Sequence, residues 1–273
     1  MAKVADKYLK VDPWAIIEEG FDPERNRTSE SIFPLGNEYM GVRGYAEEGY
    51  SGDSLQGSYF NGLNEQLDIG NHYKGIIRSL RYMVNAVDWL YTRITVNGEQ
   101  LDLAKSKISD YVRKLDLRSG TYRRELIWHL DDGKILKVVF TRLVSMTMSH
   151  LGLQRVMFEP LNLGSVDICA GLDFNIIHEE RGECMWSSLR SGEQGSTTAI
   201  MARTVNTANK LFSSFILQSS QPLQLTRVEY DKFIGQSFTM DLAQGESAHF
   251  TKQVINCSDS ESAIQLKNCG AKG

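Results

Sequence analysis

The chain has 273 residues, 41% of them apolar and 23% charged, with a net charge of −4. This composition excludes a disordered or fibrous chain. Its 30 basic and 34 acidic residues are well mixed, which leaves no basic stripe to neutralise a nucleic-acid backbone. Antiparallel sandwiches of about 200–250 residues commonly close around one core, so the length fits a single large domain. The longest apolar-rich runs, such as residues 136–140, are far shorter than the ~20 residues needed to cross a bilayer. The start, Met1-Ala2-Lys3-Val4-Ala5-Asp6-Lys7, carries charges where a secretory leader would be apolar. A cytoplasmic protein with no membrane and no nucleic-acid partner is therefore expected. The four cysteines, Cys169, Cys184, Cys257 and Cys269, form no C-x-x-C pair, and free buried thiols are the expectation for that compartment.

In chain order, the first ninety residues are rich in glycine and irregular, consistent with strands joined by long loops, including residues 49–63. Loops of this kind commonly carry binding surfaces. From Tyr91 onward, short extended runs alternate with turn dipeptides. Residues 91–96 are followed by Asn97-Gly98 and then residues 99–103, and Asn-Gly supplies the two positive φ values of a type I′ hairpin turn. A second hairpin pairs residues 124–130 with 134–142 across Asp131-Asp132-Gly133. Further strands are expected at residues 153–158, 166–177, 198–204, 211–218, 232–241 and 248–256. Strands recurring every ~8–12 residues, without a helix-period segment of ten or more, predict a large antiparallel sandwich. Ser258-Asp259-Ser260-Glu261-Ser262 has the composition of a helix N-cap cluster.

The run from Ser29 to Glu48 is the most unusual segment. Its glycines, Gly36, Gly41 and Gly44, match neither a P-loop nor the G-x-G-x-x-G of a dinucleotide fold. Close backbone approach between strands explains them physically. The same run, preceded by Trp14 and the acidic stretch 18–23, resembles the N-terminal region of glycoside hydrolase family 65, the maltose, kojibiose and trehalose phosphorylases. Leu115 to Gly120, Arg123-Arg124, Arg142 to Met146 and His150-Leu151 continue the resemblance over nearly the whole chain. Glu38 stands where the family often has glycine, and Leu63-Asn64-Glu65-Gln66 does not point to one substrate.

The resemblance implies an all-β fold, a large antiparallel β-supersandwich of the galactose-mutarotase-like type, with residues 1–273 forming one N-terminal domain. It also implies a following helical (α/α)6 catalytic barrel as partner, a disaccharide substrate, a homodimer, and inorganic phosphate as co-substrate without any other cofactor. The catalytic acid is expected in that barrel, so no catalytic, cofactor or metal residue is assigned here. Asn37, Arg43, Glu47 and Glu48 are the candidates for a domain interface or active-site rim.

The residues themselves carry little convergent chemistry. Glycoside cleavage needs carboxylates flanking the sugar, but neighbours on a strand point to opposite faces. The pairs Glu18-Glu19, Glu47-Glu48, Asp131-Asp132 and Glu179-Glu180 are thus expected at solvated faces or turns. His72, His129, His150, His178 and His249 show no metal spacing. The alternative readings are a freestanding carbohydrate-binding module and a mutarotase-like sugar epimerase; the latter would pair His72, His150 or His178 with Glu179, and ranks below ordinary hydrogen-bonded histidines. Trp14, Tyr39, Tyr45, Tyr50, Tyr59, Phe60, Tyr73, Trp89 and Trp186 can stack on sugar rings, although most are expected between the sheets.

Overall fold

A computed structural model describes residues 8–68, 79–179 and 181–259. The chain opens with β1 (Leu9–Val11) and β2 (Ala15–Glu19), followed by the short helix α1 (Asn26–Ile32). Next come β3 (Leu35–Gly36), β4 (Met40–Val42) and β5 (Ser58–Phe60), which form a small three-stranded sheet, and the hairpin of β6 (Asn64–Asp68) and β7 (Ser79–Met83). The predicted first hairpin is β8 (Thr92–Val96) with β9 (Glu99–Gln100). Its turn residues Asn97 and Gly98 have φ of 51° and 84°, as the type I′ turn requires.

The long strands follow. They are β10 (Lys107–Asp116), β11 (Thr121–His129), β12 (Ile135–Val144), β13 (Leu151–Pro160) and β14 (Ser165–Asp173). A short pair, β15 (Ile177–His178) and β16 (Glu183–Cys184), leads to β17 (Trp186–Gln194), β18 (Thr197–Thr204) and β19 (Lys210–Ser219). The last strands are β20 (Thr226–Tyr230), β21 (Phe233–Asp241) and β22 (Ala248–Ser258).

Ten strands make one antiparallel sheet in the order β1-β2-β10-β11-β12-β13-β22-β19-β18-β17, and five make a second, β20-β21-β14-β8-β9. The sandwich follows from period-two burial. In β11, Tyr122, Arg124, Leu126 and Trp128 point inward while Arg123, Glu125 and Ile127 point away. One apolar cluster lies between the two sheets, joining Ile94, Ile168 and Phe238 to Trp128, Phe140 and Phe250. A second cluster joins residues 33–90, among them Phe33, Tyr45, Phe60 and Trp89, to Tyr122, Val144, Trp186 and Val254. Fully burying a side chain such as Phe140 contributes about 1.5–3 kcal/mol, so these clusters hold the layers together.

Several elements depart from the sequence reading, for identifiable reasons. In β10 the alternation is interrupted by a bulge between Ser109 and Val112, where Asp110 has φ of 50°. The edge strands β17 and β20 are polar on both faces and lack an alternating pattern. The strand expected over 166–177 ends at Asp173, and residues 177–178 pair separately with β16. Helix α1 has seven residues, too few to show a periodic pattern. Ser258 ends β22 rather than capping a helix; residues 260–262 of that cluster, with His72, Tyr73, Glu180 and Cys269, lie outside the described residues. Cys169 and Cys184 are free as expected, whereas Cys257 is disulfide-bonded, a correction to the expectation of free thiols.

Of the glycines in the Ser29–Glu48 run, Gly44 most needs its missing side chain. A Cβ there would lie 2.9 Å from the Phe33 Cβ and 3.0 Å from the Phe33 carbonyl oxygen, while the Gly44 amide donates to Glu30 O at 2.7 Å. At Gly41 the nearest atom would be 3.9 Å away, an ordinary contact. Tight backbone approach thus explains Gly44 and not Gly41.

Candidate functional site

Two polar regions lie behind the Ser29–Glu48 run: a buried seam and an open cleft. The seam runs across the inner face of the large sheet. Arg113, Arg124, Arg142, Gln154 and Lys252 occupy inward positions on five successive strands and are fully buried. The register places Arg113 opposite Arg124, Arg142 opposite Gln154, and Gln154 opposite Lys252. Each polar residue sits between a residue of one apolar cluster and a residue of the other, or beside one of them. In β22, for example, Lys252 separates Phe250 from Val254.

Charged groups are buried only when paired, and each buried charge of the seam has an opposite charge or carbonyl oxygens beside it, although atoms such as Arg113 Nε, Arg124 Nε and Glu47 Oε1 lack a hydrogen bond. The Arg124 guanidinium donates to Glu48 Oε1 at 2.7 Å, to Glu48 Oε2, and to Glu47 Oε2 at 2.6 Å. Arg142 lies 3.4 Å from Glu47 Oε1 and donates to the carbonyl oxygens of Tyr45 and Arg43. Burial alone would raise the Glu47 carboxyl, yet Arg142 and Arg124 hold it below the ordinary carboxylate value. Arg113 pairs with buried Glu18 at 2.7 Å. The guanidinium of Arg124 also covers Phe140, and that of Arg142 covers Tyr122, each 4.3 Å from the ring centroid. The Lys252 ammonium bridges the two sheets by donating to the carbonyl oxygens of Trp89, Tyr91 and Gly171. Burial lowers it to about 7, against the attraction of Asp88.

This geometry places the four candidate residues. Glu47 and Glu48 lie in a turn, as expected, but are fully buried and converge on Arg124, a correction to the expectation of solvation. Their carboxylates offer nothing to an interface. Asn37 closes a turn: its Oδ1 accepts from the Tyr39 and Met40 amides at 2.8 Å, while its Nδ2 donates to Ser145 O and Ser149 O. Asn37 and Arg43 are partly exposed, and Arg43 donates to Ser31 Oγ. Glu30, missed by the sequence reading, is buried and accepts from Asn26, Ser54 and the Leu55 amide. The signal for the seam was an arginine at an inward position of a strand, as Arg124 is relative to Leu126 and Trp128.

The cleft, of about 990 Å³, opens beside the seam and is lined by segments 45–59, 82–93 and 175–179. Three of the candidate sugar-stacking aromatics, Tyr45, Tyr50 and Tyr59, line it, as do His178 and Glu179. Tyr39, Phe60, Trp89 and Trp186 are instead buried in the core, and Trp14 is exposed on the surface. Asp88 reaches the cleft from the core, its Oδ1 accepting from the Tyr45 hydroxyl at 2.7 Å and the Leu90 amide at 3.0 Å. Burial raises the Tyr45 phenol well above its ordinary value, and Asp88 adds to this. Among the described residues, no group of histidines, cysteines and carboxylates is arranged to hold a metal ion.

Comparison with known proteins decides the family. The family model for the glycosyl hydrolase family 65 N-terminal domain matches residues 16–272. The chain belongs to this family. Among the relatives of this family 65 domain are the alpha,alpha-trehalose phosphorylase of Thermoanaerobacter brockii, 35% identical over 60% of the chain, and the maltose phosphorylase of Bacillus subtilis, 28% identical over 74%. The chain spans only 22% and 27% of those two proteins. A solved structure from the human microbiome, described as a candidate kojibiose phosphorylase, superposes with a TM-score of 0.88 at 30% identity, over 96% of this chain and 35% of the other. The family 65 domain therefore has the expected all-β sandwich fold, and the Ser29–Glu48 run that carried the resemblance is the segment that binds the seam. Among its described residues, no helix is long and apolar enough to cross a membrane.

Proposed function

We propose that this domain is the non-catalytic N-terminal part of a cytoplasmic, inverting disaccharide phosphorylase that cleaves an α-glucoside of the maltose, kojibiose or trehalose type with inorganic phosphate. The match over residues 16–272 to the family 65 N-terminal domain carries this reading, together with relatives that are phosphorylases of these three kinds. The residue chemistry supports it, because the buried carboxylates Glu18, Glu47 and Glu48 are engaged by arginines and so are unsuited to proton transfer. The domain's task is then to support a catalytic barrel and the homodimer it forms. Asn37 would brace that surface from behind, with Arg43 facing the barrel at its edge.

The test is phosphate-dependent release of glucose 1-phosphate from maltose, kojibiose and trehalose, comparing this chain with the polypeptide of its parent gene. Turnover is expected only in the parent, and the preferred disaccharide names the substrate. Turnover by the 273-residue chain alone would overturn the reading.

A further inference from the structure

We propose that the cleft is a binding site for a neutral oligosaccharide. A volume of about 990 Å³ is at the upper end of the ~300–1,000 Å³ of small-molecule sites, room for more than one pyranose ring. Pyranose recognition needs flat apolar surface for the C–H faces of the ring and polar groups for its hydroxyls. Tyr50 and Tyr59 supply the first.

The second comes from groups whose hydrogen-bonding capacity the fold leaves unspent. Asp88 is 3% exposed, and both hydrogen bonds to its carboxylate fall on Oδ1, leaving Oδ2 to accept from a ligand hydroxyl. Buried His178 Nδ1 has no hydrogen-bond partner. Gln56 lines the same space and engages only its backbone carbonyl, which accepts from Asn85. Asp88 Oδ2 and the Gln56 side-chain amide belong to lining residues and have no protein hydrogen bond among the described residues, so a ligand hydroxyl can complete them.

Charge selects a neutral ligand. Asp88 and Glu179, the latter paired with Arg27, face the cleft, and among the described residues no lysine lines it. Among the described lining residues the guanidinium is that of Arg93, which donates to Glu47 O at 3.0 Å and stacks 3.9 Å from the Tyr91 ring centroid. A sugar phosphate would meet a buried carboxylate with no free cation to offset it.

The experiment is calorimetric or saturation-transfer titration of the 273-residue chain with maltose, kojibiose and trehalose, and with glucose 1-phosphate as the charged probe. Saturable binding of at least one neutral disaccharide is expected, with Kd in the ~1 mM range. Tyr59→Ala, Gln56→Ala and Asp88→Asn should each weaken it about tenfold or more. If Asp88→Asn does not fold, the other two variants still decide. The proposal is overturned by absence of saturable binding to the folded chain, by unchanged affinity in the folded variants, or by glucose 1-phosphate binding more tightly than every disaccharide. These outcomes are independent of the phosphorolysis assay: the parent can release glucose 1-phosphate whether or not the cleft takes sugar.

Discussion

The seam and the cleft draw on the same residue types, carboxylates, arginines and tyrosines, and put them to opposite uses. In the seam each charge is spent on another protein group: Arg124 on Glu47 and Glu48, Arg113 on Glu18, Lys252 on three carbonyl oxygens. In the cleft, Asp88, His178 and Gln56 keep unspent capacity. A buried ionic row stabilises the fold little in itself and much more by what its disruption would expose. Its effect here is to fix how residues 33–63 and 84–90 dock on the large sheet, and that docking shapes the cleft.

That contrast can be tested by breaking the seam at its centre. Arg124→Met leaves the Glu48 carboxylate buried without its partner and Glu47 with Arg142 alone, and chemical denaturation should show a loss of about 3–5 kcal/mol. Adding Glu47→Gln and Glu48→Gln should recover part of the loss; no recovery would mean that packing over Phe140, and not charge, is what Arg124 supplies.

A smaller effect is expected from pH. Lys252 titrates near 7 in the fold against an ordinary value of 10.5. Below about 7 the folded and unfolded chains both hold the proton, and the full cost of the buried charge is present. Between about 7 and 10.5 the unfolded chain holds the proton and the folded chain does not, so stability rises with pH by up to ~1.4 kcal/mol per unit. The unfolding free energy of Lys252→Met, followed over the same range, should lack this rise. Asp88, Cys169 and Arg93 are the charged and titratable groups nearest the ammonium, and none is altered by the substitution.

The smallest effect belongs to the cleft. Gln56→Ala should change the melting free energy by less than ~0.5 kcal/mol, since its side chain holds no other part of the fold. A loss comparable to that of Arg124→Met would place Gln56 in the scaffold and erase the contrast between the two regions.

Local sequence determined the strands and their turns. Alternation in 121–129 and 135–144, the Asn97-Gly98 turn and the ordered motifs from Ser29 to His150 sufficed for the sandwich and the family. These signals are local because a strand's period of two and a turn's φ values depend on neighbouring residues. Tertiary structure alone decided that Glu47 and Glu48 meet Arg124, 77 and 76 residues away, and that segments 45–59, 82–93 and 175–179 enclose one cleft. Adjacent acids in a loop are not bound by the alternation of a strand, and which charges become partners depends on sheet register and on where the loops cross, quantities that no short window of sequence contains.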